Sequence, residues 1–259
     1  MKQRAAFSLV ELSIVLVILG LLTGGILAGQ SLIRAAQLRA VATEYSRYTA
    51  AARSFRDKYF ALPGDMPNAT AFWGVANATP ATCRTTVGTG TQTCDGNGDG
   101  RVENVGFIGA VVDEDYRFWQ HLANAGLIEG NYTGVDTGSF VSTTLNSPPS
   151  KLSGALWFTF GWGIATGGGI YDGDYGNAFA IGAPATNAWV SGPIFKPEEA
   201  WNIDTKMDDG MPAIGGVVTM VSNITSNTCN NSTASNSFTA AYTLSNTSLS
   251  CALIFRRSY

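Results

Sequence analysis

The pattern of apolar and polar positions changes character twice along the 259 residues. From Phe7 to Gln30 the chain reads FSLVELSIVLVILGLLTGGILAGQ, apolar on all sides and carrying one acid, Glu11. No charge occurs between Leu12 and Ile33. As a helix that uncharged run is about 33 Å long, enough to cross a bilayer. Beyond it the periodicity narrows to one stripe: Leu38, Val41, Tyr45, Tyr48, Ala52, Phe55 and Tyr59 recur at steps of three and four. Arg39, Glu44, Arg47, Arg53 and Arg56 fall on other faces, as in a helix with one side to bury. No proline interrupts residues 7–62, and Pro63-Gly64 supplies a stop. The pattern predicts one continuous helix from Phe7 to about Leu62, roughly 84 Å long.

After Pro63 the chain turns to short apolar runs between clusters of Gly, Asn, Thr and Asp. Residues 154–165 (GALWFTFGWGIA), 177–183 (NAFAIGA), 213–222 (AIGGVVTMVS) and 250–256 (SCALIFR) read as strands. Residues 113–128 read as a short helix with acids at its start and Gly126 near its end. Charged residues make up 14% of the chain and the net charge is −3. An acidic chain so sparsely charged has little electrostatic attraction for nucleic acid, and no nucleic-acid partner is expected.

The charge at the very start sets a topology. MKQRAA carries Lys2 and Arg4 and no acid, which holds that end in the cytoplasm and sends the bulk outward. A secretory signal peptide would have a shorter apolar core followed by a small-residue cleavage site; here the helical pattern continues instead. Outside the cytoplasm the four cysteines, Cys83, Cys94, Cys229 and Cys251, read as two local disulfides. With a single histidine, His121, and no CxxC pair, zinc is disfavoured.

Glu11 is the anomaly of the anchor, because a carboxylate inside an apolar helix costs a few kcal/mol unless paired. The segment AA|FSLVELSIVLVILGLL resembles the cleavage and methylation segment of type IV prepilins and type II secretion pseudopilins. In that family a basic leader is cut before a Phe, whose amine is methylated, and a Glu stands at the fifth mature position. The resemblance makes Ala6 and Phe7 the processing and methylation residues and Glu11 the assembly residue. It implies that Glu11 meets the Phe7 amine of a neighbouring subunit. Two departures stand out: the family usually has Gly where this chain has Ala6, and a kinking Pro where it has Gly20, Gly24, Gly25 and Gly29. Glycines four apart let helices approach closely.

The resemblance covers residues 1–62 and implies an α+β, pilin-like fold. In it a long N-terminal helix, anchor plus amphipathic half, packs on an antiparallel β-sheet head with long loops. The expected organisation is a leader over 1–6, a transmembrane and polymerisation helix over 7–33, an amphipathic continuation over 34–62, and a periplasmic or extracellular head over 63–259. Its partners would be homologous pilin or pseudopilin subunits, prepilin peptidase and the inner-membrane assembly machinery. The expected location is the bacterial inner membrane before assembly and a cell-surface pilus or periplasmic pseudopilus after it. The segment enclosed by Cys229 and Cys251 resembles the C-terminal disulfide-bounded region of pilins.

Cys83 and Cys94 would close a second loop directly before DGNGDGRVE. Asp95, Asn97 and Asp99 alternate oxygen side chains, Gly100 follows, and the Arg101 carbonyl comes next, as in the opening of an EF-hand-type calcium loop. The usual acid at the twelfth position is absent, since residue 106 is Gly; Glu103, or Glu114 or Asp115 at the start of the following helix, would have to replace it. The competing reading is an Asx/Gly turn followed by a helix cap. A second acidic group, Asp204, Asp208 and Asp209, reads as a charged turn between strands with Asp209-Gly210 at its corner, in preference to a metal site.

No GxSxG, HExxH, phosphate-binding glycine loop or Ser/His/Asp set is present, and no enzymatic activity is expected. Two classes remain. One is a structural subunit, minor or specialised given its large head, polymerising through its N-terminal helix. The alternative is a non-polymerising, membrane-anchored ligand-binding protein, for which a buried Glu11 would bring no gain.

Overall fold

The computed structural model describes residues 8–83, 85–103, 114–136, 143–167, 169–185, 188–220 and 228–259. Its dominant element is α1 (Leu9–Tyr59), 51 residues without a break. Through Ile33 its large apolar side chains are 50–83% exposed, with no protein to cover them. From Arg34 onward one stripe is covered. Val41, Tyr48, Ala52 and Phe55 are buried in the main core, and Leu38, Tyr45 and Tyr59 pack against it. The expected stripe is covered, with one correction: Glu44, expected on another face, is buried too, because its carboxylate has partners from the sheet side. The helix stops at Tyr59, three residues short of the expected end, because Phe60 adopts the left-handed conformation (φ 56°, ψ 27°) and donates its N–H to Arg56. Leu62, preceding a proline, is disfavoured in a helix as well.

Two short helices follow, α2 (Ala69–Trp73) and α3 (Pro80–Cys83), then α4 (Glu114–Asn124). The strands are β1 (Leu156–Gly161), β2 (Ile164–Ala165), β3 (Gly173–Asp174), β4 (Asn177–Ala185), β5 (Ala188–Gly192), β6 (Val217–Thr219) and β7 (Leu253–Phe255). A further helix, α5 (Pro197–Met207), lies between β5 and β6. The main sheet is antiparallel, ordered β1-β4-β7-β6, with β5 also on β4 and β2-β3 forming a separate small ribbon. Its register is set by Leu156↔Gly182 through Gly161↔Asn177, Phe179↔Phe255 and Val217↔Phe255.

Strand periodicity divides the interior into two layers. Trp157, Phe179, Ile181, Val217, Leu253 and Phe255 point to the α1 side. Leu156, Phe158, Phe160, Ala178, Ala180, Val218 and Ile254 point to the other. There Trp189, Val190 and Tyr175 cover them. Both faces of the sheet are therefore buried, which explains why β1 reads as a continuous apolar run. Helix α4 gives Phe118, Trp119 and Leu122 to the first layer and Tyr116 to the second.

A buried acid ties α1 to the sheet. The Glu44 carboxylate accepts Nε1–H of Trp157 at 2.8 Å, the Ser150 hydroxyl at 2.6 Å and the Lys151 N–H at 2.8 Å. Both expected disulfides are present, Cys83–Cys94 and Cys229–Cys251, with Cα separations of 5.9 and 5.0 Å.

Candidate functional site

The N-terminal site begins at the start of α1. Ala6 and Phe7 lie outside the described residues. Ser8 is the N-cap: its Oγ accepts the Val10 N–H at 3.3 Å, and Glu11 Oε2 reaches back to the Ser8 N–H at 2.8 Å. This reciprocal arrangement satisfies two of the N–H groups that the first turn leaves without partners. Ser8-Leu-Val-Glu11 has the spacing of such a cap, so the signal was in the sequence. Within one chain, Glu11 therefore has a local partner in addition to any on a neighbour. The four anchor glycines have no atom within 4 Å of where a Cβ would stand, so their contacts, if any, are with something outside this chain.

The anchor and head meet at Arg34. Its Nε and Nη2 donate to the two Glu199 oxygens at 2.8 and 2.6 Å, and Nη2 also donates to the Ile194 carbonyl at 2.8 Å. Glu199 stands in the first turn of α5. That element is a correction, since Asp204, expected with Asp208 and Asp209 on a charged turn between strands, lies within it. Pro197 at the helix start, Glu198 and Glu199 in the first turn and Lys206 in the last are ordinary helix signals. The cluster of later acids obscured them.

Those acids sit at the end of α5. Oxygens of Asp204, Asp208 and Asp209 lie within 4.8 Å of one another, the one such trio among the described residues. Each has local work. Asp204 is buried and accepts the Tyr242 hydroxyl at 2.8 Å and the Gly210 N–H at 3.1 Å. Asp208 accepts the N–H groups of Gly216 and Val217, at 2.6 and 3.2 Å. Asp209 accepts that of Met211. Burial, with the charges of Asp209 and Asp208 adding, pushes the Asp204 carboxyl up to about 7.

The second expected site, the loop from Asp95, is arranged differently from its prediction. Asp95 turns both oxygens to Thr70, accepting its N–H at 2.8 Å and its hydroxyl at 3.0 Å. Asn97 and Asp99 accept the N–H two residues on, from Asp99 and Arg101, as in Asx turns. The residue missed from the sequence is Asp65. It comes from the turn after α1, and its carboxylate accepts the N–H groups of Gly98, Asp99 and Gly100 at 2.6–3.0 Å. Glu114, fully buried at the start of α4, accepts those of Asn97 and Glu103 at 2.9 and 3.1 Å.

Acids therefore gather around this loop from three segments. Burial, with Asp99 adding, raises Asp65 to about 6. Burial, with Asp65 and Asp99 adding, raises Glu114 to about 8. Glu103 is raised by burial and by Asp99, against which Arg101, 3.9 Å away, acts weakly. The oxygens of Asp95, Asp99, Glu103 and Glu114 do not converge as a closed ligand set.

His121 is fully buried. Its Nδ1 accepts the Gly64 N–H at 2.9 Å while Nε2 faces the Thr93 hydroxyl at 2.9 Å. Burial and the nearby Arg117 charge lower it to about 3, so it is a neutral link between the end of α1 and the disulfide loop.

Residues 1–27 match the family model for the prokaryotic N-terminal methylation motif. The match supports the recognition of the chain as a member of the type IV prepilin and type II secretion pseudopilin family, and marks it as a pilin-like precursor. The architecture, a long N-terminal helix followed by an antiparallel sheet head, fits that class. The apolar helix and the motif together fit a membrane-anchored precursor. The motif points to a structural protein that assembles with other pilin subunits. No curated protein and no solved structure matches the chain.

Proposed function

We propose that this chain is a minor or specialised structural subunit of a type IV pilus or secretion pseudopilus. It is cut by prepilin peptidase between Ala6 and Phe7, methylated on the Phe7 amine and assembled through α1 by the inner-membrane machinery. The observation that carries this reading is Glu11, the fifth residue from Phe7, in a helix whose apolar side chains are uncovered through Ile33. In a low-dielectric bundle a carboxylate and an amine are each costly alone and favourable as a pair. On assembly, Glu11 exchanges the Ser8 N–H for the charged amine of a neighbour, which sets the register between subunits. Mass spectrometry of the purified N-terminus tests the processing. A methylated Phe7 start is expected, and an intact Met1 in filaments from a host with active peptidase overturns it.

A calcium site in the head is a second part of this reading. Asp65, Asn97, Asp99 and the Arg101 carbonyl would supply oxygens, with Glu103 or Glu114 completing the set toward the six to eight that calcium takes. The observation favouring it is that Asp65 and Glu114, from two distant segments, both turn their carboxylates onto the backbone of residues 97–103.

A further inference from the structure

The head carries two rulers that run side by side, and together they locate its underside. Tyr45 of α1 stacks on Phe255 of β7, with ring centroids 4.5 Å apart. From Tyr45 down to Arg34 the helix descends about 16 Å. From Phe255 down to Cys251 the extended chain descends about 13 Å. The two lower points are joined: Cys251 and Phe195 exchange backbone hydrogen bonds, Ile194 donates to Cys251, and Arg34 donates to the Ile194 carbonyl. Strand β7 and the amphipathic half of α1 are thus nearly parallel, and both reach the level at which the uncharged helix begins.

Leu249 lies two residues below Cys251, at the base of the C-terminal cystine loop, and is 48% exposed. Lys196 and Pro193, beside the same Ile194–Phe195 segment, are exposed too. The last uncharged residue of the anchor, Ile33, is one position from Arg34. No linker separates membrane helix from head, because α1 is continuous through this point. An exposed leucine with a lysine nearby, held at the height where hydrocarbon gives way to headgroups, suits an interfacial surface. Apolar groups enter the acyl boundary there, and cations meet phosphates.

We propose that, while α1 is inserted, the underside of the head rests on the phospholipid surface, with Leu249 at the acyl boundary and Lys196 among the headgroup phosphates. The precursor would then have a second membrane contact, set by the cystine loop, that holds the head against the bilayer until assembly lifts it away. The proposal rests on the reading of α1 as a membrane anchor.

The test uses the full chain in phosphatidylcholine–phosphatidylglycerol vesicles whose acyl chains carry bromine near the headgroup. Leu249→Trp and Ile164→Trp each add one indole. By the same rulers Ile164, 82% exposed, lies at the far end of the head, since β1 rises away from the membrane to reach it. The emission added at 249 should fall by roughly twofold or more, as expected for an indole at an interface, and that added at 164 should not change. Pro193→Trp serves the same purpose if Leu249→Trp misfolds, and should be quenched likewise. Equal, weak quenching at 249, 193 and 164, in protein that resists alkaline carbonate extraction, overturns the proposal alone. Protein that carbonate extracts overturns the anchor reading and this proposal with it.

Discussion

The carboxylate of Glu11 accepts the backbone N–H of Ser8 at 2.8 Å, three residues back along the same chain. An acid that the apolar pattern marks as misplaced is therefore a helix cap in the single subunit. Two roles can be separated by chemistry. Gln at position 11 keeps an acceptor for the Ser8 N–H but has no charge for a neighbour's amine. Ala keeps neither.

Both Glu11→Gln and Glu11→Ala should insert into the membrane and both should fail to enter filaments, because pairing with an amine needs the charge. Ala should also fray the first turn, since the Ser8 N–H then has no side-chain acceptor. The check is the ratio of filament to membrane protein by immunoblot. Incorporation of the Gln variant at wild-type level would make the cap, not the charge, the function of Glu11.

Glu44 should be the most sensitive acid for stability. Glu44→Ala leaves the buried Trp157 Nε1–H without its acceptor and removes those of the Ser150 hydroxyl and the Lys151 N–H, a loss of about 2 kcal/mol or more. A fall in the urea midpoint of the full chain in detergent, followed by tryptophan emission, is the readout. A shift no larger than that of an exposed change such as Lys206→Ala would count against it.

The buried Asp204 predicts the direction of a pH effect. Its folded value, about 7, lies above the ordinary 3.8, so the folded state holds a proton that the unfolded state releases. Stability is then greatest below the unfolded value, declines as pH rises from about 4 to about 7, and is level above that. Asp204→Asn keeps an acceptor for the Tyr242 hydroxyl and should flatten this part of the profile, with a gain over wild type at pH 8. Denaturation midpoints measured across pH 4–8 on both proteins decide it, and parallel profiles would remove Asp204 as the cause.

Calcium at 100 times its Kd should stabilise the folded head by about 2.7 kcal/mol. The measurement is the melting temperature of the full chain in millimolar calcium against chelator. Asp65→Ala with Asp99→Ala should abolish the difference, whereas Asp95→Ala should preserve it at a lower overall stability, since Asp95 serves Thr70. Identical melting of the wild type in both conditions returns the loop to a plain turn.

The N-terminal helix was legible from residue order because its determinants are local: an uncharged run, then a stripe at helical spacing, then a proline. The strands at 156–161 and 253–255 were legible for the same reason, as short β-branched and aromatic runs between turn residues. Tertiary structure alone decided what long-range pairing controls. Nothing near Asp65 in sequence says that its carboxylate will collect the N–H groups of Gly98, Asp99 and Gly100, more than thirty positions away. Nothing near Glu44 announces Trp157, and nothing near Arg34 announces Glu199, 165 positions distant. A periodic face states only that something must cover it. Which polar groups are drawn in with that cover follows from where the sheet brings distant segments together, because each buried donor or acceptor must then be satisfied by whatever partner has arrived beside it.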